Sequence, residues 1–450
     1  MNTEIIKQYE TLKDEIIDKI GKLVSIPSVI DESTNNLNTS HPFGVEIEKA
    51  LDETLELCKD LGFKTFKDSE GYYGYAEIGE GKEMIAVLGH LDVVPAGNLE
   101  MWNSDPFKAI LKDNKLYGRG TQDDKGPTVI ALYAAKALMN LKNKFNKRVR
   151  FIFGTDEENL WRCINKYMQN EEVPSMGFTP DSKFPMIYAE KGLLQFNLIG
   201  KGEDIEINVD SAYNAVPDKA QYSGKNLDSL VAALDKLNYT YEIKDNEVTV
   251  LGKSVHAAAG EDGINAIKHL VIALKETGYS SPSIDFIANE IGNDPYAEKI
   301  FGVVEDEDSG KLKFNVGKLI ITKDKSQIGI DIRIPVTANK DIIVETIKTI
   351  SKKYGFEYEE RDFLRSLYVP KDHILIKTLR KIYEEETGFD STPISSGGAT
   401  YARSMDNCVA FGMVFPDGEK TEHQPNEYIS LKDMERAFGI YAKAIQELSK

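Results

Sequence analysis

The chain has 450 residues and a formal charge of −18, with 41% hydrophobic and 28% charged residues. Its length exceeds one ordinary domain of roughly 150 residues, so we expect two or three domains with ample apolar material for packed cores. This composition excludes wholesale disorder. The negative charge disfavours nucleic acid and anionic membrane surfaces as partners, because like charges repel.

The amino-terminal segment predicts a charged amphipathic helix rather than a secretion signal. It reads MNTEIIKQYETLKDEI, and no part of the chain approaches the roughly 18 uninterrupted apolar residues of a membrane span. Cys58, Cys163 and Cys408 form no CxxC pair, which is typical of a reduced compartment and argues against a thiolate zinc site. We therefore expect a cytoplasmic protein.

The first part of the chain then alternates between helical and strand patterns. Helices are predicted over Gly44–Leu61 and Lys125–Leu141, and strands over Gly71–Ile78, Met84–Leu88 and Arg148–Gly154. This succession is typical of an open α/β sheet, whose ligands bind beyond the carboxyl ends of the strands. The chemistry should therefore follow directly on the apolar strands.

From about Leu193 the pattern changes to that of a separate α+β unit, and from about Lys371 it returns to long helices. The elements predicted in these two segments are Leu194–Ile199, Asn226–Leu237, Tyr239–Ile243, Glu247–Leu251, Gly263–Thr277, Leu312–Ile321, Lys325–Ile334, His373–Thr387, Val409–Val414 and Leu431–Leu448. We predict that residues 1–192 and 369–450 build one α/β domain, into which residues 193–368 are inserted as an α+β domain.

The first candidate for chemistry is GHLDVVP, Gly89–Pro95, which follows the predicted strand Met84–Leu88. His90 and Asp92 are two residues apart, so their side chains point the same way on an extended backbone. A carboxylate beside a metal-binding imidazole fixes its tautomer and orientation. The alternative is a polar strand end without function.

Two further segments concentrate carboxylates. The glycine-rich loop LYGRGTQDDKGP carries Asp123 and Asp124 immediately before a predicted helix, where acidic residues can also act as caps. Three consecutive carboxylates follow the next strand: Asp156, Glu157 and Glu158. These three groups would crowd the sheet edge and repel one another unless cations are present. A solvated acidic turn is the alternative for this second segment.

Two later segments complete the candidate ligands. GFTPDSKFP contains Asp181, and FPDGEKTEHQPNEYI contains His423, one of only six histidines, near Glu422 and Glu427. Two imidazoles and several carboxylates without cysteine suit zinc, manganese or cobalt. An aspartate shared between two ions is the natural architecture for such a set.

Other catalytic motifs are missing from the sequence. GKS at Gly252–Ser254 has Glu247 where a phosphate-binding loop needs glycine. The chain contains neither a G-x-S-x-G nucleophile elbow, nor an H-E-x-x-H helix, nor a G-x-G-x-x-G fingerprint.

The order of these motifs resembles the M20 metallopeptidase family, and most closely its dipeptidase V branch of PepV-like or Xaa-His-dipeptidase-like enzymes. The motifs that carry the resemblance are GHLDVVP, GRGTQDDKGP, TDEEN, GFTPDSKFP, GKSVHAAAG with GINA, GGATYAR, and HQPNEYI. They span nearly the whole chain. The resemblance implies a di-metal exopeptidase-type α/β catalytic domain with an inserted α+β lid domain.

The resemblance also implies how the ligands are shared between two divalent ions, with zinc as the first choice and manganese or cobalt as alternatives. His90 and Asp181 would bind one ion, Glu158 and His423 would bind the other, and Asp123 would bridge both.

Three further properties of the catalytic domain follow from the same resemblance. Asp92 would orient His90, and Glu157 would act as the general base. The peptide bond between Asp123 and Asp124 would be cis.

The resemblance assigns substrate contacts to the inserted domain. His256 in GKSVHAAAG would stabilise the oxyanion, and Asn214 in NAVPD would contact the substrate. Arg333 in DIRIP would grip a terminal carboxylate, near backbone contacts from Gly397 and Gly398. A strand-end hydrogen bond is the alternative for His256, and a sheet-surface charge is the alternative for Arg333.

The function implied is that of a dipeptidase that hydrolyses the amide bond of short unblocked peptides through a metal-bridging water activated by Glu157. An N-acyl amino acid deacylase or desuccinylase with the same mechanism is the alternative. A catalytically silent peptide-binding protein is disfavoured by Glu157 beside a full ligand set. The chain departs from the branch pattern at Ala399, where glycine is common, and in ENLW after the base. The enlarged lid implies a monomer.

Overall fold

The computed structural model describes residues 3–34 and 41–450 of the chain. It divides into two compact units. Unit 1 comprises residues 1–188, 367–394 and 399–450, and unit 2 comprises residues 189–366 and 395–398. The expected α/β class, with an α+β unit inserted into it, is confirmed.

A nine-stranded mixed sheet organises unit 1. Its central strands are parallel neighbours in the order Arg148–Gly154, Met84–His90, Met176–Thr179 and Cys408–Ala410. These strands are buried along almost their whole length, which is typical of a sheet covered on both faces. The other strands of the sheet are Lys64–Lys67, Gly74–Ile78, Ile187–Glu190, Leu367–Tyr368 and Ile394–Ser396. The carboxyl ends of the four parallel strands open at one edge.

The helices of unit 1 are Thr3–Val24, Val45–Leu61, Lys125–Asn140, Arg162–Asn170, Ile374–Thr387 and Leu431–Leu448, with 3₁₀ turns at Glu32–Thr34, Leu99–Met101 and Tyr401–Ser404. The helix Lys125–Asn140 is buried on nearly all sides, because it packs against the sheet and against the first and last helices. It crosses the sheet at Gly89, where a Cβ atom would lie 2.0 Å from Thr128 Oγ1. Only glycine permits this close approach.

A small antiparallel sheet brings two distant loops of unit 1 together. Its strands are Tyr428–Ser430, Lys115–Tyr117 and Ile110–Lys112, and Tyr428 lies opposite Tyr117. The residues that follow Tyr117 therefore run beside those that precede Tyr428. We call residues 118–124 the Asp123 loop and residues 416–427 the His423 loop.

Unit 2 is built on a five-stranded antiparallel sheet in the order Ile207–Asp210, Lys313–Ile321, Lys325–Ile334, Gly192–Lys201 and Glu357–Leu364. Its other strands are Lys219–Tyr222, Glu247–Leu251, Tyr241–Lys244, Glu305–Asp306 and Gly310–Lys311. Its helices are Leu227–Leu237, Ala266–Glu276, Pro282–Phe286, Glu298–Phe301 and Lys340–Lys352, with a 3₁₀ turn at Ala257–Asp262 and a π turn at Ile287–Ile291. The sheets and helices enclose one apolar core.

Two predicted strands are three residues shorter than expected. The strand predicted over Val409–Val414 spans only Cys408–Ala410, because the chain turns at Gly412, whose φ is +115°. The strand predicted from Gly71 begins at Gly74, because the main-chain oxygen of Asp68 accepts a hydrogen bond of 2.9 Å from Gly71 N and closes a turn there. Within the described ranges, no helix is long and apolar enough to cross a membrane.

Candidate metal centre

Three adjacent parallel strands carry candidate ligands at their carboxyl ends. His90 is the last residue of its strand, Glu158 follows the neighbouring strand that ends at Gly154, and Asp181 follows the strand that ends at Thr179. Parallel strands of one sheet deliver such residues to the same edge. The Asp123 loop and the His423 loop approach this edge from the small sheet.

Asp123 lies between the two imidazoles. Its Oδ1 atom is 2.9 Å from His90 Nε2, and its Oδ2 atom is 3.0 Å from His423 Nε2. His423 Nε2 also lies 3.1 Å from Glu158 Oε1. One ligand atom each from His90, Asp123 and Glu158 lies within 4.8 Å of the others. The Asp123 carboxylate therefore offers one oxygen atom to each of two imidazoles from distant parts of the chain.

The carboxylates of the centre favour the protonated, positively charged forms of His90 and His423. Hydrogen bonds to Asp123 and Glu158 raise the pKa of His423 to about 11. Burial opposes the charged form of His90, but the nearby carboxylates of Asp123 and Asp92 outweigh it and hold the pKa well above its usual value. Divalent cations compete with such protons for the same nitrogen and oxygen atoms. The donor set, two imidazoles with carboxylates and no thiolate, fits zinc, manganese or cobalt.

Glu157 and Asp181 have raised pKa values for the same physical reasons. Burial raises the pKa of Glu157 well above its usual range, and the charges of Glu158 and Asp123 raise it further. Burial also raises the pKa of Asp181, with a second contribution from Asp123. A raised pKa makes each carboxylate a stronger base than an exposed carboxylate.

Asp92 supports the centre in a different way from the one its spacing predicts. The atom closest to His90 Nδ1 is the main-chain oxygen of Asp92, at 3.0 Å, whereas the carboxylate Oδ1 is 3.6 Å away. The other carboxylate oxygen accepts a hydrogen bond of 3.0 Å from the main-chain N–H of Glu158. Asp92 therefore orients His90 mainly through its main chain and fixes the Glu158 turn through its carboxylate.

Two neighbouring carboxylates are directed away from the imidazoles. Asp124 accepts hydrogen bonds from His90 N at 3.1 Å and from Thr128 Oγ1 at 3.0 Å. Asp156 binds Arg162 Nε and Nη2 at 2.7 and 2.9 Å. Among the three consecutive carboxylates, Asp156 thus has the guanidinium of Arg162 as the cation that offsets its charge. The peptide bond between Asp123 and Asp124 is cis, as the resemblance implied.

Two aromatic side chains that sequence reasoning missed, Trp161 and Tyr401, lie near Glu157 and His90. Trp161 Nε1 donates a hydrogen bond of 2.7 Å to the main-chain oxygen of Glu157. The ring of Tyr401 lies 5.6 Å from that of Trp161 and 6.1 Å from that of His90. Gly154 makes room for Tyr401, since a Cβ atom there would lie 2.2 Å from its ring. The available signal was the pair of segments ENLW and GGATYAR, each of which carries one of these aromatics.

In unit 2, His256 is exposed and begins the 3₁₀ turn Ala257–Asp262. Its Nδ1 atom accepts a hydrogen bond of 3.2 Å from Ala258 N, and partial burial together with the charge of Arg333 lowers its pKa. The neutral ring therefore carries its proton on Nε2. Asn214 is exposed beside it, and its main-chain oxygen accepts from Ala257 N at 2.8 Å.

Arg333 is buried, so the alternative of a sheet-surface charge is wrong. Its Nε and Nη2 atoms donate to the two carboxylate oxygens of Asp331 at 2.8 and 3.2 Å. Nη1 donates to the main-chain oxygen of Gly397 at 3.3 Å. A Cβ atom at Gly397 would lie 2.7 Å from Ala258 Cβ, and the main-chain N–H of Gly398 donates to Ser396 Oγ at 3.0 Å.

Imidazole and carboxylate groups thus gather at the carboxyl ends of buried parallel strands, where they could hold a metal ion. The sequence pattern described as "Peptidase family M20/M25/M40" matches residues 86–447 of the chain. The chain therefore belongs to the M20 family, as the resemblance indicated, and is a hydrolytic metallopeptidase.

The chain is similar to named proteins along its whole length. It is 38% identical to "Putative dipeptidase YtjP" of Bacillus subtilis (strain 168), over 97% of this chain and 98% of the relative. Among solved structures, it matches the dipeptidase Dug1p of Saccharomyces cerevisiae with a TM-score of 0.61 and 13% identity, covering 99% and 98% of the two chains. It matches human carnosine dipeptidase 1 with a TM-score of 0.58 and 14% identity, covering all of both chains. At these identities the two structures establish a shared fold.

Proposed function

We propose that this chain is a two-metal dipeptidase that hydrolyses the amide bond of short unblocked peptides. The observation that carries the proposal is the placement of Asp123, which offers one carboxylate oxygen to each of two imidazoles. The relative named as a dipeptidase supports the substrate class, because the similarity covers nearly the full length of both chains.

We assign the ligands in two groups that share Asp123. His90 and Asp181 would hold one ion, and Glu158 and His423 the other. Zinc is our first choice, with manganese and cobalt as alternatives. When bound, two divalent cations lower the pKa of a water molecule and draw electron density from the carbonyl oxygen of the substrate.

The protein's own groups then carry the proton and stabilise charge. Glu157 takes the proton of the attacking water and delivers it to the leaving amine nitrogen. Its raised pKa makes its carboxylate a stronger base than an exposed glutamate. His256 donates its Nε2 proton to the oxygen that becomes negative as the amide carbon turns tetrahedral.

We propose that unit 2 also supplies contacts to the ends of the peptide. Arg333 would use its Nη1/Nη2 edge for the terminal carboxylate, because Asp331 already binds its Nε/Nη2 edge. Asn214 would add a polar contact, and Gly397 and Gly398 would contribute main-chain groups beside the carboxylate. We further propose that the protein is cytoplasmic and monomeric. Light scattering of the purified protein would check its oligomeric state.

The test is a panel of dipeptides and N-acyl amino acids assayed with the metal-free protein after addition of zinc, manganese or cobalt. We expect turnover of unblocked dipeptides that Glu157→Ala abolishes. Turnover of N-acyl amino acids with intact dipeptides would instead identify the deacylase or desuccinylase alternative. Turnover that survives in Glu157→Ala would remove Glu157 from the mechanism.

A further inference from the structure

Three buried side chains join the Asp123 loop to the His423 loop. Arg119 and Gln122 belong to the first loop and Glu427 to the second, and they are 2%, 7% and 0% exposed. The small sheet places the two loops side by side, and Gly118 N donates to the main-chain oxygen of Glu427 at 2.9 Å. Most polar side chains that are buried in proteins form hydrogen bonds, and each of these three bridges the loops through hydrogen bonds.

Glu427 holds the backbone that leads into Asp123. Its Oε1 atom accepts three main-chain hydrogen bonds, from Gly120 at 3.0 Å, from Gln122 at 2.8 Å and from Asp123 at 3.2 Å. Its Oε2 atom accepts from Arg119 Nη1 at 2.6 Å. The carboxylate of the His423 loop thus fixes the main chain of the residue that stands between the two imidazoles.

Gln122 makes the reciprocal connection. Its Oε1 atom accepts from the main-chain N–H groups of Thr421 and Glu422, at 2.6 and 3.0 Å. Its Nε2 atom donates to the main-chain oxygens of Glu419 and Tyr428, at 3.0 and 3.3 Å. The Gln122 side chain is therefore bonded both to residues that precede His423 and to Tyr428, which follows it.

These bonds matter for His423 because its side chain is 53% exposed and its φ is +61°. A non-glycine residue adopts this left-handed conformation only when its surroundings hold it there. The hydrogen bonds from Thr421 and Glu422 to Gln122 fix the two residues that precede it.

Arg119 extends the connection to a third loop. Its Nη2 atom donates to the main-chain oxygen of Pro95 at 3.3 Å, and its Nη1 atom donates to that of Gln424 at 3.4 Å. Pro95 ends the GHLDVVP segment that contains His90. The three segments that carry His90, Asp123 and His423 are thus tied together beneath the centre.

We propose that Arg119, Gln122 and Glu427 are positioning residues that preset the separation of Asp123 from His423 and thereby the affinity of the centre for divalent cations. The inference rests on the proposed function, since it assumes that these ligands hold metal. A preset arrangement of ligands avoids the cost of ordering the loops upon binding. A merely structural role would alter folding stability and leave the affinity unchanged.

The test measures manganese and zinc affinity of the metal-free protein by titration calorimetry, together with thermal unfolding without metal. Gln122→Leu removes the hydrogen bonds to the His423 loop and replaces the amide with an apolar side chain of similar size. Glu427→Gln keeps the size and shape of the side chain but replaces the carboxylate that binds Arg119 with a neutral amide. The matched control is Glu77→Gln, which breaks a comparable pair with Arg150 at 2.9 Å on two neighbouring strands of the large sheet.

We expect affinity to fall about 10- to 100-fold in Gln122→Leu and Glu427→Gln, as for other residues that support metal ligands. Glu77→Gln should lower the unfolding temperature with unchanged affinity. Gln122→Glu keeps the acceptor but loses both donated bonds, so its affinity should be intermediate. At saturating metal, kcat should recover in all variants and KM should stay constant.

Wild-type affinity in both folded loop variants would overturn the inference, as would an equal loss in Glu77→Gln. A wild-type protein that binds metal but cleaves no dipeptide would refute the proposed function and leave the positioning role in place. A wild-type protein that binds neither metal would overturn both.

Discussion

Unit 1 contains two acidic segments, Asp123–Asp124 and Asp156–Glu158. In each segment one carboxylate contacts an imidazole of the centre and another supports the surrounding structure. In the first, Asp123 meets the two imidazoles while Asp124 supports the main chain of His90. In the second, Glu158 meets His423 while Asp156 is paired with Arg162. In each segment, the partner offered by the surrounding fold decides what a carboxylate does. Four substitutions test this division.

Removal of Asp123 should have the largest effect, because this residue contacts both imidazoles. We expect Asp123→Ala to abolish dipeptide hydrolysis and to weaken metal binding by more than the roughly 100-fold that loss of a supporting residue costs. Calorimetric metal titration and a dipeptide assay measure the two effects. Full activity in Asp123→Ala would refute its place at the centre.

Glu157→Gln should separate catalysis from metal binding. The amide keeps the size of the side chain but cannot take a proton, so we expect kcat to fall by about 10²- to 10⁴-fold. The number of bound metal ions should stay the same. A loss of metal in this variant would instead make Glu157 a ligand.

Asp124→Asn should have a moderate effect on affinity. The asparagine oxygen can still accept from His90 N and Thr128 Oγ1, but the charge is lost. We expect metal affinity to fall by about 10-fold, at the lower end of the range for supporting residues. A loss as large as that of Asp123→Ala would show that both aspartates bind metal.

Asp156→Asn should affect stability and leave the chemistry intact. The substitution weakens charged hydrogen bonds to Arg162, which is 36% exposed, so solvent screens part of the interaction. We expect the free energy of unfolding to fall by about 1–2 kcal/mol, measured by urea denaturation. An altered metal affinity would contradict the separation between Asp156 and its two neighbours.

The strands and helices that were predicted most accurately have strong periodic or apolar patterns. Arg148–Gly154, Lys325–Ile334 and Leu431–Leu448 begin and end at the predicted residues, because burial on one or both faces constrains every position. The end of the strand predicted over Val409–Val414 was wrong, because the apolar pattern does not show that Gly412 adopts a positive φ and turns the chain.

The groups that tie the centre together could not be predicted, because their contacts join residues far apart along the chain. Gln122 and Glu427 are separated by 305 positions. The pairing of Asp156 depends on the turn that places Arg162 against it. Composition and spacing indicated the candidate ligands, and the resemblance implied which carboxylates bind metal. The hydrogen bonds of Asp124 with His90 N and Thr128 Oγ1, and the pairing of Asp156 with Arg162, appear only in the folded chain.

The number of metal ions bound per chain tests the central claim most directly. Metal-free wild-type protein titrated with manganese or zinc should bind two ions. His90→Ala and His423→Ala should each bind one ion, since each removes a ligand of a different site and leaves Asp123 in place. One ion in the wild type, or two in both histidine variants, would contradict a centre in which Asp123 is shared between two cations.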